Sequence, residues 1–227
     1  MASDAPDPAV APAEMTLDEL RLHLAPLIAD AAVFDGWSDA ALAMAAQQAG
    51  VDADVARLAY DGGAMDMIAA WIETIDTAMA VALPPEKLAQ MKIREQIRIL
   101  VQFRLDAVAG REEALRRAMA IMAMPQNAAA ALRTGWHSAD VMWRLAGDTA
   151  TDYNHYTKRA TLAAIYGATL AVFLDDASEG KVDTRAFLDR RIDGVMRFEK
   201  TKAKWLNPDR DRFSVTRFLG RLRYPAR

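Results

Sequence analysis

At 227 residues, with 52% hydrophobic and 26% charged residues, the chain can bury one substantial core, or a small module beside a larger one. It holds no cysteine, which excludes disulfides, thiolate nucleophiles and cysteine metal clusters. A net charge of −3 hides an asymmetry, because residues 1–66 carry twelve acids against two bases and residues 197–227 carry ten bases against three acids, so the two ends face different partners.

Residues 1–13, rich in Ala, Asp and Pro, lack a basic start and an apolar segment, and are expected to form a disordered tail rather than a signal peptide. Thr16-Leu17-Asp18-Glu19 has the spacing of a capping box, so a helix should begin there, carry Leu17, Leu20, Leu24, Leu27 and Ile28 as its apolar stripe, and end near Gly36. Ser38 should cap a second helix, Asp39 to Ala49, closed by a left-handed Gly50. A third helix is expected at about Asp52 to Ala59. This arrangement resembles the helix-turn-helix of TetR-type regulators. Its charge argues against DNA: from Asp30 to Asp66 there are seven Asp and one basic residue, Arg57, where a recognition helix needs Lys and Arg to neutralise phosphates.

From Met65 onward the periodicity predicts helices over Met65 to Leu83, Glu86 to Ala109, Glu112 to Met124, Asn127 to Gly147, Thr151 to Asp176 and Thr184 to Trp205, with no strand. The fold class is therefore all-α, a bundle of about nine helices. Its parts are a tail over 1–13, a helix-turn-helix-like module over 14–64, a bundle over 65–206 and a basic segment over 207–227. Eight of the twelve methionines fall in the middle helices, where they either fill an irregular core or line an apolar pocket.

Polar detail concentrates between Trp136 and Asp176. Asp148, Asp152 and His155 would share a face if one continuous helix carried them, as a metal site requires, but Gly147-Asp148 reads as a helix end that breaks the register. Ser138, His137 and Asp140 are neighbours in sequence and do not form a nucleophile set with an oxyanion hole. No catalytic residue, metal or cofactor is expected. The run Leu162 to Leu174 is apolar on all sides and too short to span a bilayer, so it should be buried, with Ala163, Gly167 and Ala171 as a flat strip that suits either a central helix or a homodimer seam.

The same region carries a family resemblance. Asp140 to Asp148 (DVMWRLAGD), Thr151-Asp152-Tyr153-Asn154 and Tyr156 to Tyr166 (YTKRATLAAIY) are similar to the signature of the ubiquinone-biosynthesis Coq-nine family, and weaker similarity runs from about Ala31 to Phe198. The resemblance implies a TetR-like, homodimeric, non-enzymatic lipid-binding accessory protein. Such a protein takes isoprenoid quinone intermediates from the membrane and assists the di-iron demethoxyubiquinone hydroxylase. It implies a hydroxylase-facing surface on Asp140, Met142, Trp143, His155 and Tyr156, with His155 standing where animal members carry tryptophan. It further implies a lipid head-group contact at Arg159, beside Lys158; a guanidinium at a cavity rim suits phosphate because its fork donates bidentately.

After Pro208, the residues Val215, Phe218, Leu219 and Leu222 form one narrow apolar stripe, with Arg217 and Arg221 on one side and Arg212 and Arg223 on the other. That pattern fits an interfacial membrane helix, each arginine meeting anionic head groups for up to ~1 kcal/mol, and the family's similar C-terminal helices agree with it. A nucleic-acid tail and a helix docked on its own bundle are the alternatives. The expected partners are thus a lipid, either an isoprenoid quinone or a phospholipid, the hydroxylase, a membrane surface and a second copy of the chain, without nucleic acid. The implied location is the cytoplasmic face of a bacterial inner membrane, or the matrix side of the mitochondrial one. A ligand-responsive regulator is the alternative function.

Overall fold

The computed structural model describes residues 11–151 and 153–206. Residues 1–10 of the tail expected over 1–13, Asp152, and the proposed membrane stripe with Val215, Arg217, Phe218, Leu219, Arg221 and Leu222 lie outside the described residues; the end of that tail enters a 3-10 turn, Pro12–Glu14. Ten α-helices make up the described chain: α1 (Leu17–Asp35), α2 (Asp39–Ala49), α3 (Ala53–Ala59), α4 (Ala64–Ala82), α5 (Pro85–Leu88), α6 (Ile93–Val108), α7 (Glu112–Met122), α8 (Ala128–Leu145), α9 (Tyr153–Asp175) and α10 (Val182–Leu206).

Local chemistry sets the front three helices. Thr16 Oγ1 accepts from the Glu19 amide at 3.3 Å while the Thr16 amide donates to Glu19 Oε2 at 2.8 Å, which closes the capping box. Ser38 caps α2, and Gly50 ends it at φ 68°, ψ 29°, a backbone conformation that L side chains rarely adopt. The front helices share one core with the body instead of standing apart. Trp37 Nε1 donates to the Ala114 carbonyl of α7 at 2.9 Å, and the Trp37 ring lies 5.3 Å from Trp71 of α4.

The chain breaks where the periodicity predicts one helix over Glu86 to Ala109. Between α5 and α6 the backbone turns so that Leu88 is fully buried, and Gln96 Nε2 donates to the carbonyls of Leu88 and Met91 at 2.8 and 3.2 Å. A side-chain amide thus satisfies carbonyls that an unbroken helix would have paired internally. Apolar spacing alone carries no mark of this.

Helices α4, α6, α7, α8 and α9 enclose the body, and α10 lies along α6 and α9. Arg98 meets Asp189 at 2.6 Å and Arg94 meets Asp193 at 2.9 Å, fixing α10 to α6. At the start of α10, hydrogen bonds from Ser178 and Thr184 hold the buried Asp176 carboxyl far below its usual range, so this cap stays ionised. The helix α9 is not buried all round: Ala164, Ala168 and Ala171 are exposed, while Ala163 and Gly167 of the expected strip line a hollow shared with α4, α7 and α8.

Among the described residues no helix is long and apolar enough to cross a membrane.

Candidate functional site at the α8 and α9 junction

Helix α8 ends in the turn Ala146-Gly147-Asp148, where Gly147 takes φ 77° and reverses the chain toward α9. Three side chains then lock the turn. Arg159, only 2% exposed, donates from Nε to Asp140 Oδ1 at 2.5 Å and from Nη1 to Asp148 Oδ2 at 3.0 Å and the His155 carbonyl at 3.2 Å. Lys158 Nζ meets Asp148 Oδ1 at 2.6 Å and lies 5.2 Å from the centroid of the Trp143 ring, whose Nε1 donates to the Lys158 carbonyl at 3.1 Å. Burial pushes the Asp148 carboxyl up, but Lys158 and Arg159 outweigh it and hold the group below the usual carboxylate range.

Arg159 therefore lies beneath the surface, not at a cavity rim as expected of a head-group contact. Its guanidinium is engaged by two carboxylates of its own chain, and Lys158 is the member of the basic pair that reaches an apolar hollow. Met142 is a second correction: it is fully buried, because Ser138, Ala139 and Met142 form the inner face of α8. Trp136, Asp140 and Trp143 form a half-buried face beside it, and Leu132, Arg133, His137 and Arg144 are exposed.

The remaining members of the expected partner surface do come together. Trp136 gathers His155 and Tyr156, with ring centroids 6.3 and 5.9 Å away, and His155 and Tyr156 meet edge-on at 5.1 Å. Tyr156 is 61% exposed, an aromatic presented to solvent. Trp136 was absent from the expected surface, although its spacing of four and seven to Asp140 and Trp143 puts it on their face. His155 Nδ1 lies 2.9 Å from the Ala150 carbonyl, which orients its ring.

One hollow borders the junction and another lies deeper along α8 and α9. A groove of about 380 Å³ runs between α6, α9 and α10; Ile97, Leu162, Ile165, Ile192 and Met196 line it, with Trp143, Asp148 and Lys158 at one end. A second hollow of about 300 Å³ lies between α4, α7, α8 and α9, where Met119 and Met122 form part of the wall, while Met67, Met79 and Met142 are ordinary core. Ser138 is turned inward, accepting from Arg104 at 3.1 Å and donating to Asp76 at 3.2 Å, away from any pairing with Asp140. Neither Arg104 nor Asp76 was singled out in the sequence. Yet each interrupts an apolar stripe: Arg104 lies three and four residues after Val101 and Leu100, and Asp76 lies between Ile72 and Met79.

Comparison with known proteins places this geometry. The COQ9 family model matches residues 128–199, a span that contains the whole junction. Ubiquinone biosynthesis protein COQ9, mitochondrial, of Homo sapiens is 34% identical over 174 residues, covering 73% of this chain and 54% of the human protein. The Rattus norvegicus protein of the same name is 35% identical over 174 residues, covering 73% and 55%. The chain spans about half the length of these curated relatives. The solved TetR transcriptional regulator from Nitrosomonas europaea ATCC 19718 superposes with a TM-score of 0.61 at 22% identity, over 83% of this chain and 99% of that one, a likeness of fold. The chain thus resembles the COQ9 ubiquinone biosynthesis family and carries that family's segment on a TetR-like, all-α body.

Proposed function

We propose that the chain serves ubiquinone biosynthesis as a non-enzymatic lipid-binding accessory protein, which takes isoprenoid quinone intermediates at a membrane surface and presents them to the di-iron demethoxyubiquinone hydroxylase. One observation carries this reading. The same α8 and α9 turn borders the apolar groove, through Trp143, Asp148 and Lys158, and carries on the same two helices the cluster of Trp136, His155 and the exposed Tyr156. A lipid in the groove would lie beside whatever docks on the aromatics. Lys158 offers its ammonium at the groove, and Arg159 holds the turn that places it. The basic stripe of residues 212–223 supplies the membrane contact, at a bacterial inner membrane or its mitochondrial counterpart.

Mass spectrometry of lipids extracted from the purified protein tests the cargo. Quinones or phospholipids should be recovered; a protein that is repeatedly empty and ignores liposomes would refute the reading. The docking surface has its own test. Tyr156→Ala removes an exposed ring, so stability should change by less than ~0.5 kcal/mol while affinity for the hydroxylase falls at least tenfold, as aromatic anchors at interfaces do. Unchanged hydroxylase binding in a pull-down titration would remove Tyr156 from the surface.

The reading also makes the chain a homodimer. The exposed small residues Ala164, Ala168 and Ala171 let a symmetry-related α9 approach closely. Ala168→Arg should then convert the dimer to a monomer in sedimentation, and a wild-type protein that sediments as a monomer at micromolar concentration would refute the seam. The regulator reading has the fold in its favour, but Asp52, Asp54 and Asp61 are exposed on and around α3, where they would repel phosphates.

A further inference from the structure

The front module presents apolar side chains to solvent in an acidic setting. Four of the twelve large apolar side chains exposed among the described residues fall within residues 34–58: Phe34, Met44, Val55 and Leu58, the last 68% exposed. On α3, Asp54 and Leu58 share a face with Val55 beside them, and Asp61 follows in the turn just after the helix. Of the seven Asp between residues 30 and 66, only Asp30, Asp54 and Asp66 enter ion pairs among the described residues. The single base among residues 30–66, Arg57, is held by Asp54 at 2.6 Å. Exposed apolar groups set among charges of one sign suit a partner that is apolar and of the opposite sign.

We propose that the exposed face of α3 receives the basic C-terminal segment, residues 209–223, of a second copy of the chain. Charge and pattern both fit. Residues 207–227 carry six Arg against two Asp, and Val215, Phe218, Leu219 and Leu222 fall at the spacing of one helical stripe with arginines on both sides. Such a helix covers Val55 and Leu58 with its stripe and brings Arg217 and Arg221 toward Asp54 and Asp61. The place where the described chain ends makes the donor a second copy. Helix α10 starts at the front-module end of the body, where Lys181 meets Glu112 of α7 at 3.8 Å and Trp37 is bound to Ala114 of the same helix. It then runs along α6, with Asp189 opposite Arg98 and Asp193 opposite Arg94, and ends at Leu206. Over its 25 residues α10 advances about 37 Å away from α3, whereas a helix over 209–223 and its short link span only about 30 Å. The segment therefore falls short of its own α3.

The contact has a functional consequence. Docked on α3, the stripe is covered, so copy-to-copy docking and membrane contact exclude each other, and a lipid surface must compete with α3 for the segment. The inference uses the amphipathic pattern of residues 209–223 and is independent of the quinone cargo.

The test uses the full chain with Phe218 replaced by the photoreactive p-benzoylphenylalanine. Unlabelled and ¹⁵N-labelled preparations are mixed in equal amounts and irradiated, and the cross-linked peptides are identified by mass spectrometry. Cross-links should join residue 218 to peptides of α2 and α3 and should pair labelled with unlabelled chains. Leu58→Ser and Asp61→Lys each change one exposed side chain, so both should keep the wild-type Tm. Each should lower the cross-link yield at sub-saturating concentration by roughly tenfold, as loss of an interface anchor or its charge partner does. Raising the salt to about 0.5 M should lower it as well. Cross-links confined to single chains overturn the second copy as donor. Cross-links that form only with lipid, once phosphatidylglycerol vesicles are added, overturn the docking and leave the membrane as the occupant. Capture by any other part of the chain, or a yield that both variants leave unchanged, overturns the proposal.

Discussion

Replacing Arg159 with alanine is expected to destabilise the protein by about 3–5 kcal/mol, the usual effect of removing one partner from a buried ion pair. The reason is local. Asp140 and Asp148 come from the end of α8 and the turn after it, and Arg159 is the buried cation that joins both carboxylates to α9. Without it, Asp140 keeps only the exposed Arg144 of its own helix and Asp148 only Lys158, and no cation joins the two carboxylates to each other. For a chain of this length about 1 kcal/mol corresponds to roughly 2–4 °C in Tm, so thermal melting should fall by ~10 °C or more. Arg159→Lys should recover only part of this, because a point charge cannot bridge two carboxylates as a guanidinium fork does. A Tm within 2 °C of wild type for the alanine variant would show that the junction is held by apolar packing alone. Acid titration offers an independent check. The folded Asp148 carboxyl is held below its ordinary value, so its contribution is fully present above the unfolded carboxylate range near ~3.9 and is lost as pH falls through the folded value. The Arg159→Ala protein should show a weaker dependence of stability on pH across that acidic window.

The helix ends were legible because they are written in local chemistry. The Thr16 capping box, the Ser38 cap and the left-handed Gly50 each specify their neighbours within a few residues, and each forms as the sequence indicates. What escaped the sequence depends on which helix meets which. The turn between α5 and α6 requires Gln96 to reach back to Leu88, and nothing in the apolar stripe distinguishes that from an unbroken helix. Met142 and Trp143 are adjacent, so a signature read along the chain treats them alike; the 100° rotation between them buries Met142 fully and leaves Trp143 half-buried against Lys158. Arg159 shows the same limit from the other side. A basic residue next to an apolar run reads equally well as a lipid contact or a buried pin, and only the approach of Asp140 and Asp148 decides. The place of Trp136 was more accessible, since it shares with Asp140 and Trp143 a helical face that periodicity alone could have identified.

Asp76→Ala should be as destabilising as the loss of Arg159, again by about 3–5 kcal/mol, because it leaves the Arg104 charge buried without its counter-ion. The pair is itself expensive to bury: burial pushes the Asp76 carboxyl up, with Arg104 and Ser138 pulling against it. Burial also draws the Arg104 guanidinium down, and Tyr166 and Asp76 outweigh that effect. Replacing both charges with apolar residues of similar size, Asp76→Leu with Arg104→Met, should therefore restore the stability of wild type or exceed it, because the desolvation of two ions disappears together with their attraction. Equilibrium urea unfolding measures both predictions. A double variant as unstable as Asp76→Ala would mean that the pair contributes net stability and needs no other reason to exist. If the double variant is instead stable, the pair is unnecessary for folding.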